Sequence, residues 1–335
     1  MPHRPRYFHL LDDMAMGGVT RALANFQHPR LTALGEHLVT DINQKVPKTR
    51  RSGDIAIIHF TANWKKLTRL MDLRYRRGFD QIILIEHTYT AGFERHCVPH
   101  PKRFHQMLRF AYSLVDTVVA VSEAQRQWMI ESELAAPQKI LTITQARDCS
   151  ELESVPAVVR DQRPVRIGAF GRFHEQKGFD LLVRAASRIP SHLFTLKLAG
   201  AGDEAGLLKV LSHNSPNIKI VPAFSSPTEF LNSVDWVAIP SRWEAFGLVG
   251  LEARSAGRPI IAAQVDGLID QIGESGIGHD PCNVDALETA LWQAIRSQDI
   301  SHRSARAREE AQDAFDSMLA GWENLLSAPE LAIAA

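Results

Sequence analysis

The chain has 335 residues, 45% hydrophobic and 23% charged, with 38 basic residues balancing 38 acidic ones. That length exceeds one ordinary core and fits two domains of roughly 150 residues each, and the composition excludes a disordered or low-complexity chain. Three widely spaced cysteines, Cys97, Cys149 and Cys282, with no C-x-x-C pair, argue against a disulfide framework or a zinc knuckle and predict a reducing, cytoplasmic setting.

Charge is unevenly spread. Residues 1–160 hold 22 basic and 16 acidic side chains, and the remainder holds 16 and 22. Most of the excess lies between Lys45 and Arg109, where 14 basic residues face 5 acidic ones. A patch of that kind seeks an anionic surface.

In chain order, the first apolar run, Tyr7 to Leu11, is stopped by Asp12 and Asp13, which is too short for a signal peptide. No run approaches the roughly 18 apolar residues that would span a membrane. "MAMGGVTRALANF" (14–26) comes after that first strand, and Gly17 and Gly18 either let the backbone approach a ligand or simply make a tight strand-to-helix turn. Further strands are predicted at "IAIIHF" (55–60), "QIILIEH" (81–87), which ends at His87, "DTVVAVS" (116–122) and "KILTIT" (139–144). Between them, "NWKKLTRLMDLRYRRGF" (63–79) and "HPKRFHQMLRFAY" (100–112) mix basic residues with Leu67, Leu70, Met71 and Tyr75 at helical spacing. Residues 63–112 could therefore rest on an anionic membrane surface or form sheet-packed helices with a charged outer face. Nucleic acid is not an expected partner, because the chain as a whole is not basic and no binding motif accompanies the patch.

A Pro-bearing stretch, 151–164, reads as a linker. The alternation then restarts with "VRIGAF" (165–170), "LFTLKLAG" (193–200), "NIKIVPAF" (217–224), "VDWVAIP" (234–240) and "PIIAAQ" (259–264). Residues 304–326 have helical spacing at Phe315, Leu319, Trp322 and Leu326 and could pack on either domain. The pattern predicts an α/β chain of two doubly wound, Rossmann-like domains, 1–150 and 165–303, followed by a C-terminal helix and tail, 304–335.

Ligands of open parallel sheets bind at the carboxyl ends of the strands. There, "SRWEAFGLVGLEARSAGRP" (241–259) places a helix opening at Gly247 just after a strand. Its free N–H groups and dipole make an anion site, and Gly247 removes the side chain that would hold a phosphate away. Glu244 before the helix and Glu252 within it could accept hydrogen bonds from hydroxyls on both sides of that anion, or be solvated helix charges. "GRFHEQKGF" (171–179) comes after the first strand of the same half, and its Arg172 and Lys177 could place two cations over one diphosphate. Together these features describe a nucleotide diphosphate sugar.

The motifs "GRFHEQKG", "LAGAGDE", "NIKIVPAF" and "VDWVAIPSRWEAFGLVGLEARSAGRPIIAAQVDGLID" resemble, in order, the retaining glycosyltransferases of family 4 (glycosyl transferases group 1). The resemblance implies the GT-B fold, two Rossmann-like domains facing each other across a cleft. It further implies that Arg172 and Lys177 neutralise the donor diphosphate, that Glu244 contacts the transferred sugar, and that Glu252 holds the ribose. The backbone at Phe246, Gly247 and Leu248 would cap the phosphates. In the first half, "MAMGGVTRALANF" resembles the family's glycine loop, giving Gly17 and Gly18, and "IEHTY" resembles the strand end that presents a histidine, His87, near the reacting sugar. "VAVSEAQRQ" (119–127) matches a segment read as structural. The chain departs from the family where "TQARDCS" (144–150) replaces an Asn-Gly turn, and bulkier residues come after His87, so acceptor binding is the less familiar part.

The expected activity is metal-independent, retaining hexosyl transfer from a nucleotide sugar to a saccharide or lipid-linked acceptor. No Asp-x-Asp pair stands after a strand, and no cofactor is expected. Alternatives are a GT-B epimerase or phosphorylase, or a non-catalytic sugar-nucleotide sensor. "GAGDEAG" (200–206) approaches a dinucleotide fingerprint, but its spacing is one residue too long and no acid closes the next strand.

Overall fold

The computed structural model describes residues 4–12, 22–43, 46, 48–49, 53–159, 161, 163–224 and 226–327. The chain forms two α/β units, one of Met1–Arg147 with Ala314–Ala335 and one of Asp148–Asp313. Each is built on a six-stranded, fully parallel sheet.

In the first unit, β1 (Arg6–Leu11), β2 (Glu36–Asp41), β3 (Asp54–Ile58), β4 (Gln81–Glu86), β5 (Thr117–Ala120) and β6 (Ile140–Thr142) lie in the order β2-β1-β3-β4-β5-β6. In the second, β7 (Val165–Arg172), β8 (Phe194–Ala201), β9 (Ile218–Val221), β10 (Trp236–Ile239), β11 (Ile260–Ala263) and β12 (Ile277–His279) lie in the order β12-β11-β10-β7-β8-β9. Winding therefore reverses between β1 and β3 and again between β7 and β10, which opens a crevice at the carboxyl edge of each sheet. The central strands are apolar along their whole length because helices cover both faces. Ile57, Ile58, Leu84, Val118 and Val119, for example, are wholly buried.

Two strands carry no apolar run in the sequence, and both are sheet edges. In β2 no residue is buried and Val39 is 45% exposed, while β12 is only three residues long. An edge strand is covered incompletely, so its residues need not be uniformly apolar.

The described residues of the stretch 151–164 belong to the second unit. Leu152, Val155 and Val158 are buried there, Arg258 Nη1 donates to Pro156 O (2.8 Å), and Val158 N donates to Ser304 Oγ (3.1 Å). Residues 304–326 are not one helix. Ile300–Ala311 buries Ile300, Ser304, Ala307 and Ala311 in the second unit, whereas Ala314–Ser327 belongs to the first. The later helix carries a separate apolar stripe, Met318, Leu319, Trp322, Leu325 and Leu326. Trp322 meets Phe26 edge to face at 4.9 Å between centroids, and Arg30 forks onto Glu323.

At the amino end of β10, buried Asp235 accepts from Arg163 Nη1 (2.7 Å) and Nη2 (2.8 Å), Arg166 Nη2 (2.9 Å) and Arg166 N (2.8 Å). Burial alone would raise the pKa of this carboxyl, but the arginine hydrogen bonds outweigh burial and take it from 3.8 to about 2. A carboxyl depressed on folding stabilises the protein above its unfolded pKa, and that contribution disappears as pH falls through the folded value. Asp235→Asn is therefore expected to lower stability at neutral pH by about 2 kcal/mol. It should also remove the part of the acid-induced loss between pH 3.8 and about 2. Urea unfolding at stepped pH measures both effects.

Candidate active site

The crevice of the second unit is lined by the loops at the carboxyl ends of β7 and β10. Strand β7 ends on Arg172, whose side chain is exposed and makes no ion pair among the described residues. A short 3-10 turn, Glu175–Lys177, then leads through Gly178 into the helix Phe179–Ala186. Gly178 has φ +63°, and a Cβ there would collide with the carbonyl oxygen of Pro240. The chain thus brings the residue after Lys177 directly against the end of β10, a close approach that only glycine permits.

As a result, Lys177 Nζ forms an ion pair with Glu244 Oε2, and Ser241 Oγ lies 3.3 Å from the same oxygen. Both side chains of the pair are largely shielded, at 17% and 12% exposure. A bidentate contact braces the two loops, with Arg242 Nη1 and Nη2 each 2.9 Å from the carboxylate of Asp180. Arg242 N also donates to Gln176 O (2.7 Å), and Gln176 Nε2 donates to Trp243 O (3.1 Å).

Gly247, at φ +87°, is the N-cap of the helix Leu248–Ser255. A Cβ at this position would press on Glu244 Cγ and on Leu268, both at 2.9 Å, so the missing side chain is what lets Glu244 lie beside the helix start. Leu248 and Val249 occupy the first turn, where N–H groups have no intrahelical acceptor, while Gly250 N closes on Gly247 O at 2.9 Å. The loop is held from behind. Glu244 N donates to Asp266 Oδ2 (3.1 Å), Gly267 N donates to Glu244 O (3.0 Å), and Gln271 Nε2 donates to Phe246 O (2.5 Å) and Gly247 O (3.2 Å). Phe246 and Glu252 are buried.

Lys177, Glu244, Phe246, Gly247, Leu248 and Glu252 thus share one edge of one unit, with Arg172 at the end of the adjoining strand. Sequence reasoning did not single out Asp180, Arg242, Asp266 or Gln271. Only Asp180 has a local signal, an acid in the first turn of a helix. The other three act across more than 15 residues of sequence, and nothing local marks them.

His87 belongs to the first unit, immediately after β4. Its loop is pinned by buried Glu86, whose carboxylate accepts from Thr88 N, Tyr89 N and Tyr112 OH, each at 3.0 Å. Gln125, from the segment 119–127, donates to Glu86 O (3.0 Å) and Tyr89 O (2.8 Å), which gives that segment its structural role. Gly17 and Gly18 lie outside the described residues.

In the basic stretch, Leu67, Leu70 and Leu73 are buried, so the helix turns its apolar side to its own core. Lys66 pairs with Asp12, Arg74 with Asp116 (2.8 Å) and Arg77 with Asp72. Lys65, Arg69 and Arg76 make no ion pair among the described residues, and Trp64 and Tyr75 stand exposed at 51% and 75%. No described helix is long and apolar enough to cross a membrane.

Two doubly wound units with this architecture are the GT-B fold, and residues 164–297 match the family Glycosyl transferases group 1. In structure, the chain resembles a glycosyltransferase from Rickettsia africae, with a TM-score of 0.73 at 17% identity over 99% of this chain and 100% of that one. It also resembles HepE from Anabaena, solved with UDP-glucose, with a TM-score of 0.72 at 18% identity over 97% and 98% of the two chains. In sequence it is 26% identical over 243 residues to CapM, a capsular polysaccharide biosynthesis glycosyltransferase of Staphylococcus aureus. That match takes in 66% of this chain and 63% of CapM, so the chain spans less than two thirds of that relative.

Proposed function

We propose that the protein is a glycosyltransferase that moves a sugar from a nucleotide diphosphate sugar to a saccharide or lipid-linked acceptor, with retention of anomeric configuration and without a metal ion. The observation that carries this reading is the Lys177–Glu244 pair standing at the glycine-capped start of Leu248–Ser255. A cation, a helix N-terminus and a carboxylate meet there within one loop cluster. The match of residues 164–297 to the group 1 family, the likeness to CapM and the UDP-glucose bound by HepE all support the same reading.

In this reading Arg172 and Lys177 hold the diphosphate, and the N–H groups around Gly247 and Leu248 complete its cage, with Phe246 buried beneath. Glu244 receives hydroxyls of the transferred sugar, and Glu252 those of the ribose. Breaking the glycosyl–phosphate bond builds negative charge on the leaving diphosphate, and fixed donors stabilise that charge as it forms. Lys177 has three N–H donors, so it can keep Glu244 oriented while it meets a phosphate oxygen. The family resemblance gives His87 a role toward the reacting sugar, and gives Gly17 and Gly18 the role of a glycine loop for the ligand. The leaving phosphate takes the acceptor's proton on the face it vacates, which accounts for retention.

Exposed Trp64 and Tyr75, beside Lys65, Arg69 and Arg76 with no ion pair among the described residues, support a peripheral site on the anionic inner face of the cell membrane, where a lipid-linked acceptor would be met. Co-sedimentation with anionic vesicles at low salt tests this. Absence of binding there removes the membrane from the reading.

The central test is a thermal-shift panel of sugar nucleotides followed by an acceptor screen. A donor at about 100 times its dissociation constant adds roughly 2.7 kcal/mol of stability, and nucleotide should be released only when an acceptor is present. Consumption of the sugar nucleotide without any acceptor would identify an epimerase instead, and binding without turnover a sensor.

A further inference from the structure

Four histidines of the first unit form a single hydrogen-bonded file. His37 Nδ1 lies 2.9 Å from His9 Nε2, His9 Nδ1 lies 2.9 Å from His59 Nε2, and His59 Nδ1 lies 3.4 Å from His87 Nε2. Strand register explains the alignment. His37 pairs with Tyr7, and His9, two residues further along, pairs with Ile57, which in turn pairs with Ile83. Each histidine thus stands two residues further toward the carboxyl edge than its neighbour, on one face, in the spatial order β2-β1-β3-β4. The file crosses the reversal point between β1 and β3 and ends where β4 delivers His87.

One fixed end determines every proton in the file. His37 Nε2 lies 3.2 Å from the carbonyl oxygen of Leu31, which can only accept, so His37 Nε2 carries hydrogen. In a neutral ring Nδ1 is then an acceptor, and His9 must donate to it from Nε2. The same step repeats at His59 and at His87, making all four rings Nε2–H tautomers. His87 Nδ1 is left as a bare acceptor with no hydrogen-bond partner among the described residues. Phe26 and Tyr7 pack against the rings, at 4.4 Å from His9 and 4.7 Å from His37 between centroids. Among the described residues no carboxylate bonds to any of the four, and the charge acting on His37 is that of Arg4. Burial accordingly holds His87 down at about 4 and His9 at about 3, so the file is neutral at pH 7.

We infer that His37, His9 and His59 are positioning residues that lock His87 as its Nε2–H tautomer, so that His87 Nδ1 accepts a hydrogen bond from a hydroxyl group of the bound sugar. The identity of the ligand rests on the function proposed above; the lock itself does not. His37 is the handle furthest from the ligand, on an edge strand, so changing it leaves His87 and its contact with His59 in place.

Long-range proton–nitrogen correlation spectra of the full chain, labelled with 15N-histidine, read the tautomers without substrate. All four rings should show hydrogen on Nε2 in the wild type. In His37→Phe the His9 donor loses its acceptor, and His87 should populate Nδ1–H. His37→Gln, whose amide can both donate to Leu31 and accept from His9, should restore the Nε2–H form. In turnover, His37→Phe should lose about three- to tenfold in kcat/KM for the sugar nucleotide, the effect of one mispaired hydrogen bond, and His37→Gln should recover it. Hydrogen on Nδ1 of any of the four in the wild type, or a His87 spectrum unchanged by His37→Phe, overturns the lock. A tautomer change with unaltered kcat/KM overturns the hydroxyl contact. If the chain turns over no sugar nucleotide at all, the spectra still decide the lock while the enzymatic reading fails separately.

Discussion

Lys177→Ala is expected to lower kcat by about two to three orders of magnitude, the usual loss when one fixed donor to a developing negative charge is removed. The side chain is largely shielded from water, so its charge is weakly screened, and it also holds the carboxylate of Glu244 in place. Truncation therefore leaves a partly buried carboxylate without its ion pair beside the proposed place of the leaving group, where negative charge is least welcome. Arg172 makes a useful comparison. Its side chain is exposed, so Arg172→Ala should cost less and its effect should shrink as salt is raised. Initial rates at saturating donor, with a melting curve to show that the variant folds, measure the difference. A fall in kcat of less than about threefold would take Lys177 out of any leaving-group role.

Glu252→Ala should abolish the stabilisation that a nucleotide diphosphate gives the wild type, a loss of roughly 2.7 kcal/mol at 100 times the wild-type dissociation constant. The residue is buried within the helix whose start is the proposed anion site, so a ribose held there would be bound by groups that move little. Glu244→Ala, in contrast, should keep most of the shift and lose turnover, because in the proposed roles it meets only the transferred sugar. Melting curves with UDP, GDP and ADP separate the two variants and also identify the base. A Glu252→Ala protein that responds like the wild type would show that the ribose is bound elsewhere.

Much of this architecture is written in local patterns. Ten of the twelve strands are short apolar runs, because a parallel strand covered on both faces has no polar side to interrupt it. The glycine-capped helix start was legible for a similar reason, since a glycine opening a helix in the loop after a strand has a restricted set of uses. What stayed hidden depends on distance in sequence. Asp266 and Gln271 hold the loop of Glu244 and Phe246 from about twenty residues away. The brace between Arg242 and Asp180 spans 62 residues, and the histidine file draws on four separate strands or strand ends. Each of these is an ordinary polar residue until the topology sets its partner beside it. The helix break after Ala311 was also unreadable, because no proline or glycine marks it and only the switch of apolar stripes between the two units requires it.

The helix Ala314–Ser327 has a bearing on the order in which the protein is made. It supplies the first unit with Trp322, the aromatic neighbour of Phe26, although residues 148–313 lie between them in the chain. In topological terms the second unit is an insertion into the first. During synthesis the later-encoded unit is therefore the first to have all of its residues, while the amino-terminal sheet stays without one of its covering helices until residues 314–327 have been made.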